Sequence, residues 1–176
     1  MKKIFFAMML VLLWSVSSAV AAELKVGEKA SDFKLKDSTG AEYSLASPDF
    51  QGRVLSIFYV DPDEKDMNSH VEDALLKDPD LDRKVSYKGL GITNLKATIL
   101  PNFIIKSIIK SKQKKTGAII LLDYDYTIHN QWGLKNDSSD VVVLDKDRIC
   151  RYIYNGKLPQ EEVAKLLAII KEYQVK

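Results

Sequence analysis

The chain has to be built around Arg53–Leu76, RVLSIFYVDPDEKDMNSHVEDALL. Val54, Leu55, Ile57, Phe58, Tyr59 and Val60 form a nearly continuous β-branched and aromatic run. Such a run fits a central strand buried on both faces, so the fold must cover it from two sides. Asp61-Pro62-Asp63-Glu64 predicts a helix start immediately afterwards. Asp61 can cap free N–H groups, Pro62 suits the first helical position, and Glu64 falls three residues after the cap. Met67, Val71, Ala74 and Leu75 follow at helical spacing, and Asp78-Pro79 ends the helix. On this reading the acids Asp61, Asp63, Glu64 and Asp66 favour the positive end of a helix.

The remaining segments alternate between the two periods. Asp32–Lys36 and Glu42–Leu45 predict a hairpin around the turn formers Asp37-Ser38-Thr39-Gly40. Val85–Thr93 predicts a strand weakened by Gly89 and Gly91. Leu100–Lys115 predicts a helix with Phe103, Ile104, Ile105, Ile108 and Ile109 on its apolar face. Its lysines (Lys106, Lys110, Lys112, Lys114 and Lys115) read as a solvated face, although they could also meet an acidic partner or lipid headgroups. Ala118–Leu122 is a further apolar strand, and Tyr126–Trp132 a short helix ended by Gly133. Val141–Leu144 and Arg148–Tyr154 pair around Asp145–Asp147. Pro159 opens a last helix lined by Val163, Leu166, Leu167, Ile170 and Tyr173. This order predicts an α/β sandwich with a mixed central sheet flanked by helices and an N-terminal β-hairpin extension.

Residues 1–22 read as a secretory signal, with Lys2 and Lys3, the apolar run Ile4–Trp14, and small residues up to a cut after Ala22. The apolar run is short for a bilayer span of about 20 residues, so stable membrane insertion is not expected. The expected location is the periplasm, with residues 23–176 as one domain. The full chain has 26 Lys+Arg against 24 Asp+Glu; loss of Lys2 and Lys3 leaves 24 of each sign. A neutral domain is a poor nucleic-acid binder, which needs excess positive charge. Cys150 is the single cysteine, so neither an internal disulfide nor dithiol chemistry is open to one chain.

Val26-Gly27, Ser31-Asp32-Phe33, Gly52-Arg53-Val54, Phe58-Tyr59-Val60 and Val141–Asp147 together resemble the thioredoxin superfamily, particularly its exported, peroxiredoxin-like members. More narrowly, FYVDPDEKDMN, LPNFIIKSIIKSKQKK and VVVLDKD are similar to the YtfJ-type family of small periplasmic proteins, over essentially the whole mature chain. The resemblance implies a thioredoxin-like sandwich without the Cys-x-x-Cys motif. Aligned from Phe58, the dithiol positions fall on Asp63 and Asp66; counted back from Asp145, the cis-proline position falls on Ser139. The capping signal at Asp61 begins two residues before the aligned first cysteine, which leaves the register open by that much.

Three chemistries can be weighed on these residues. Asp61, Asp63, Glu64, Asp66 and His70 could hold a hard cation, but the loop departs from a calcium-binding pattern, and capping explains the same acids. Cys150 has Arg148 and Arg151 beside it but no helix N-terminus, and reads as a small buried hydrophobe. Ser69, His70 and His129 make no triad pattern. The expectation is therefore a redox-inactive binding or accessory protein, with no cofactor and no metal. Its partner would be an envelope protein or a small ligand, meeting a surface formed by Asp61, Asp63, Glu64, Asp66, Ser139 and Asp140. The rival reading is an enzyme or metal-binding protein using the corner Asp61–Asp66.

Overall fold

The computed structural model describes residues 23–176, so the predicted signal lies outside the described residues. The run predicted as the central strand is β3 (Val54–Val60), and all its residues but Val60 are buried. It pairs in parallel with β4 (Tyr87–Asn94), which pairs in parallel with β5 (Ile119–Asp123). On its other side β3 pairs antiparallel with β6 (Ser139–Leu144), followed by β7 (Cys150–Tyr154). The N-terminal hairpin, β1 (Leu35–Asp37) and β2 (Glu42–Tyr43), extends the sheet beyond β5. The resulting order is β2-β1-β5-β4-β3-β6-β7, a mixed sheet of seven strands.

Period-two alternation along these strands divides the core between two faces. Leu55, Ile57 and Tyr59 of β3, with Leu90 and Ile92 of β4, face the N-terminal segment and α3 (Thr127–Trp132). Val54 and Phe58 face the other way, onto α1 (Ser69–Lys77) and α4 (Gln160–Val175). On that same side α2 (Asn102–Thr116) packs Ile105 and Ile109 against Ile120 and Leu122 of β5. Phe103, predicted on the apolar face of α2, is instead 74% exposed.

Arg148 fastens the N-terminal loops to the sheet. It sits in the turn before β7 in the left-handed region, at φ 67°. The buried guanidinium donates to the backbone carbonyls of Leu45 (3.1 Å), Arg53 (2.9 Å), Phe50 (2.5 Å) and Asp145 (3.3 Å). Burial pushes its pKa down, partly offset by the nearby carboxylates of Asp145, Asp32 and Asp147.

The predicted helix start at Asp61 needs correction. Pro62–Glu64 is a single 3₁₀ turn, and α1 begins only at Ser69. Between them the chain advances by short turns, with Glu64 N–H donating to the Asp61 carbonyl, Met67 to Glu64 and Ser69 to Asp66. Asp61 makes no side-chain capping bond, because its carboxylate is turned inwards to another segment. Asn68, which immediately precedes α1, does not cap it either. Its amide donates to the carbonyls of Ser139 (2.6 Å) and Gly156 (3.0 Å), and its oxygen accepts from Leu158 N–H (2.8 Å). Burial of the amide among three backbone partners outweighs a local cap, which is typically worth about 1 kcal/mol.

Candidate functional site at the strand ends

Three parallel strands end side by side, and their last or next residues are Asp61 after β3, Asn94 in β4 and Asp123 in β5. In open α/β sheets ligands gather at the carboxyl ends of such strands. Here all three side chains are buried. Asp123 accepts from the N–H groups of Thr127 (2.8 Å) and Ile128 (2.9 Å), so it holds the first turn of α3. The Tyr59 hydroxyl donates to it at 3.4 Å. Burial, with the carboxylates of Asp123 and Asp61 nearby, pushes the pKa of Tyr59 far up.

Asp61 joins the end of β3 to the loop before β6. Its N–H donates to the Ser138 carbonyl (3.0 Å), and its Oδ2 accepts from Ser138 N–H (3.3 Å). The carboxylate is 2% exposed, and its Oδ1 has no hydrogen-bond partner. The Asn94 Oδ1 is likewise buried and unpartnered, while its amide nitrogen donates to Asn136 (3.0 Å). Burial raises the Asp61 pKa to about 6, against the pull of the Asp137 and Ser138 N–H groups and of the Asn94 amide. A neutral Asp61 can donate a proton where a charged one can only accept. Asp137 takes a left-handed φ of 49°, which turns the loop sharply over this cluster.

The predicted surface residues therefore separate. Asp63 and Asp66 are exposed and Glu64 is half-buried. Asp63 accepts from the Thr98 hydroxyl (3.2 Å), and Lys65 pairs with Asp66, holding its pKa down. Asp61 lies beneath them, in the interior. Ser139 and Asp140 are also buried, as the first two residues of β6, and offer a partner no surface. Asp140 accepts from the N–H groups of Lys135 (2.6 Å) and Gly156 (2.7 Å) and from the Ser138 hydroxyl. Sequence reasoning missed Asn68, Asn94 and Asn136. The usable signal was a polar residue at the end of an apolar strand, and Asn94 fits it.

The other chemistries are placed as follows. His70 Nε2 bonds the Leu158 carbonyl (2.9 Å), and His129 Nδ1 bonds the Leu134 carbonyl (2.5 Å). Asp66 precedes α1, so it does not share a helix face with His70. Among the described residues no three His, Cys, Asp or Glu side chains gather as metal ligands. Cys150 is fully buried, with Sγ directed at the Tyr152 carbonyl (3.4 Å), and burial raises its thiol to about 11.

A parallel core β3-β4-β5, an antiparallel β6-β7 return and helices on both faces define a thioredoxin-like fold. Solved structures bear this out. The exposed lipoprotein thioredoxin Etrx1 of Streptococcus pneumoniae aligns over 78% of this chain and 98% of its own, at TM-score 0.59 and 16% identity. Peroxidoxin BcpB of Mycobacterium tuberculosis aligns over 85% and 98%, at TM-score 0.61 and 20% identity. The chain belongs to the family described as "Bacterial protein of unknown function (YtfJ_HI0045)", matched over residues 17–173. An uncharacterized protein of Haemophilus influenzae is 26% identical over 88 residues, covering 49% of this chain and about half (48%) of that protein. Chloroplastic peroxiredoxin Q of Oryza sativa subsp. japonica is 24% identical over 159 residues, covering 86% of this chain and 69% of that protein. Among the described residues no helix is long and apolar enough to cross a membrane.

Proposed function

We propose that this is an exported, periplasmic member of the thioredoxin-like class that binds a partner without thiol chemistry. Asp63, Asp66 and the half-buried Glu64 form the contact surface, and the 135–138 loop lies beside it. The observation that carries this reading is the replacement of both halves of a thiol site. Asp63 and Asp66 occupy the exposed corner after β3, the buried Ser139 opens the neighbouring strand β6, and Cys150 lies in the core with a thiol near 11. A thiolate nucleophile needs a lowered pKa and access, and Cys150 has neither. The signal pattern of residues 1–22 supports export, and neutrality of the remaining chain argues against nucleic acid as the partner.

The test is turnover. The protein should reduce insulin disulfides and peroxides no faster than background, and Cys150→Ser should change nothing. Turnover that disappears in Cys150→Ser would overturn the reading. A second reading, acid–base catalysis, is favoured by one observation: Asp61 is buried, half-unpartnered and has a pKa near 6. Groups perturbed in this way gather at active sites. Hydrolysis of a small ester or phosphoester panel that vanishes in Asp61→Asn would select it.

A further inference from the structure

On the face that carries α1 and α2, the core does not close. One buried group joins α1, β3 and α4, and another joins α2 and β5. Between them lies a cavity of about 330 Å³, running along β4 from Tyr87 to Thr93. Protein interiors normally leave few voids larger than a water molecule. At roughly 30 Å³ for each small group, the share of a liquid water, the space holds about eleven heavy atoms. Its length along the strand is about 20 Å.

The floor is opened by two glycines. Tyr87, Gly89 and Gly91 alternate onto this face of β4. At Gly89 a Cβ would find its nearest neighbours at 3.9 Å, so packing does not require glycine there. At Gly91 a Cβ would meet Ile120 at 3.2 Å. The walls are apolar: Phe58 from β3, Leu75 from α1, and Ile105, Ile108 and Ile109 from α2. An apolar wall of this kind favours an apolar guest over water.

The charged groups at this cavity are mostly cationic. Lys65, Lys88, Lys112 and Arg83 line it, against the single lining acid Glu72, and Lys65 is also paired with Asp66 at the edge. Lys112 crosses from α2 to α1, 2.6 Å from the Glu72 carboxylate and 3.3 Å from the Lys65 carbonyl. The Lys115–Asp73 pair (2.8 Å) makes a second, exposed tie between the two helices. The helices are thus bridged by charge at their outer edges, over an apolar interior. Lys112 has three donors, and the two contacts leave one for a ligand.

We propose that this cavity binds a single apolar chain ending in one carboxylate, the chemistry of a free medium-chain fatty acid. The chain lies over Gly89 and Gly91, and the head meets Lys112 and Lys65. This site adjoins the surface of Asp63 and Asp66 through Lys65, which pairs with Asp66, but its assignment does not rest on the function proposed there.

The experiment uses octanoate, whose ten heavy atoms fit this space, below its micelle concentration, titrated calorimetrically into the purified protein. One saturable site per chain is expected, with butyrate showing none and octyltrimethylammonium binding at least tenfold more weakly. Gly89→Leu fills the cavity from the sheet and Ile108→Trp fills it from α2; each should weaken octanoate at least tenfold. Backbone amide shifts in the unaltered protein provide a readout that depends on no variant, and should centre on Gly89, Gly91 and α2. Absence of saturable binding, equal affinity for the cationic chain, undiminished affinity in a folded filled variant, or shifts centred elsewhere would each overturn the proposal. Phospholipid vesicles binding in place of the free acid would overturn it as well, because the site is assigned to a single chain.

Discussion

The Asp61 carboxylate accepts the Ser138 N–H at 3.3 Å, joining the end of β3 to the loop before β6 across 77 positions of sequence. Its second oxygen is buried and unpartnered, and burial disfavours the charged form and raises the carboxyl pKa.

That relationship gives stability a definite sign with pH. The folded-state pKa is about 6, above an ordinary value of about 3.9. The folded protein therefore binds the proton more tightly, and Asp61's contribution is fully present below about pH 4 and lost as pH rises through 6. Two units correspond to at most about 3 kcal/mol. In Asp61→Asn this loss should vanish, and an amide donor can meet the unpartnered Asn94 oxygen. Urea midpoints at pH 4.5, 5.5, 6.5 and 7.5 should fall for the parent relative to the variant. Parallel lines for the two proteins would refute the assignment. Glu72, also raised by burial, contributes in the same direction in both proteins, so the difference isolates Asp61.

Arg148→Met should destabilise by about 3–5 kcal/mol, because removing one buried guanidinium strands several carbonyls. Arg148→Lys should recover little, since an ammonium cannot span the carbonyls of Leu45, Phe50 and Arg53 together. Chemical unfolding measures this. A loss below about 1 kcal/mol in the methionine variant would mean that the N-terminal loops are held by other contacts.

Cys150 should resist a disulfide reagent at pH 8 until the protein unfolds. The thiol is fully buried and titrates near 11, so both access and thiolate are lacking. Labelling rates measured across a urea series should track the unfolded fraction. Rapid labelling of the native protein would contradict the placement of this side chain.

The sheet and most helices were legible because apolar periodicity is local and strong. The run Val54–Val60 and the apolar Ala118–Leu122 read directly as strands, and β3 and β5 fall on them. The start of α1 was not legible, because Asp61 and Asn68 carry capping chemistry that longer-range contacts override. Asp61 is engaged by Ser138, and Asn68 reaches Ser139, 71 positions away. The same contacts explain the candidate surface. Asp63 and Asp66 could be placed at an exposed corner, but nothing local shows that Ser139 and Asp140 turn inwards. Gly89 and Gly91 read as weak points in a strand, whereas in the folded protein they open a cavity.

The corner itself can be tested by giving it the thiols that it lacks. Asp63→Cys with Asp66→Cys, in a Cys150→Ser background, should close an intramolecular disulfide on oxidation. The two positions lie in successive short turns, and a disulfide needs Cα atoms within about 7 Å. The first thiol should keep an ordinary pKa, because α1 begins at Ser69 and brings no helix N-terminus to position 63. Reductase activity should accordingly stay near background even when the bridge forms. Thiol counting after oxidation gives the first result, and pH-dependent alkylation of the reduced pair gives the second. A pair at Asp61 and Glu64 should bridge less well, since position 61 is buried against Ser138. A strongly lowered thiol pKa at position 63 would mean that the helix extends back to Pro62 in solution, and the turn geometry of this corner would then be wrong.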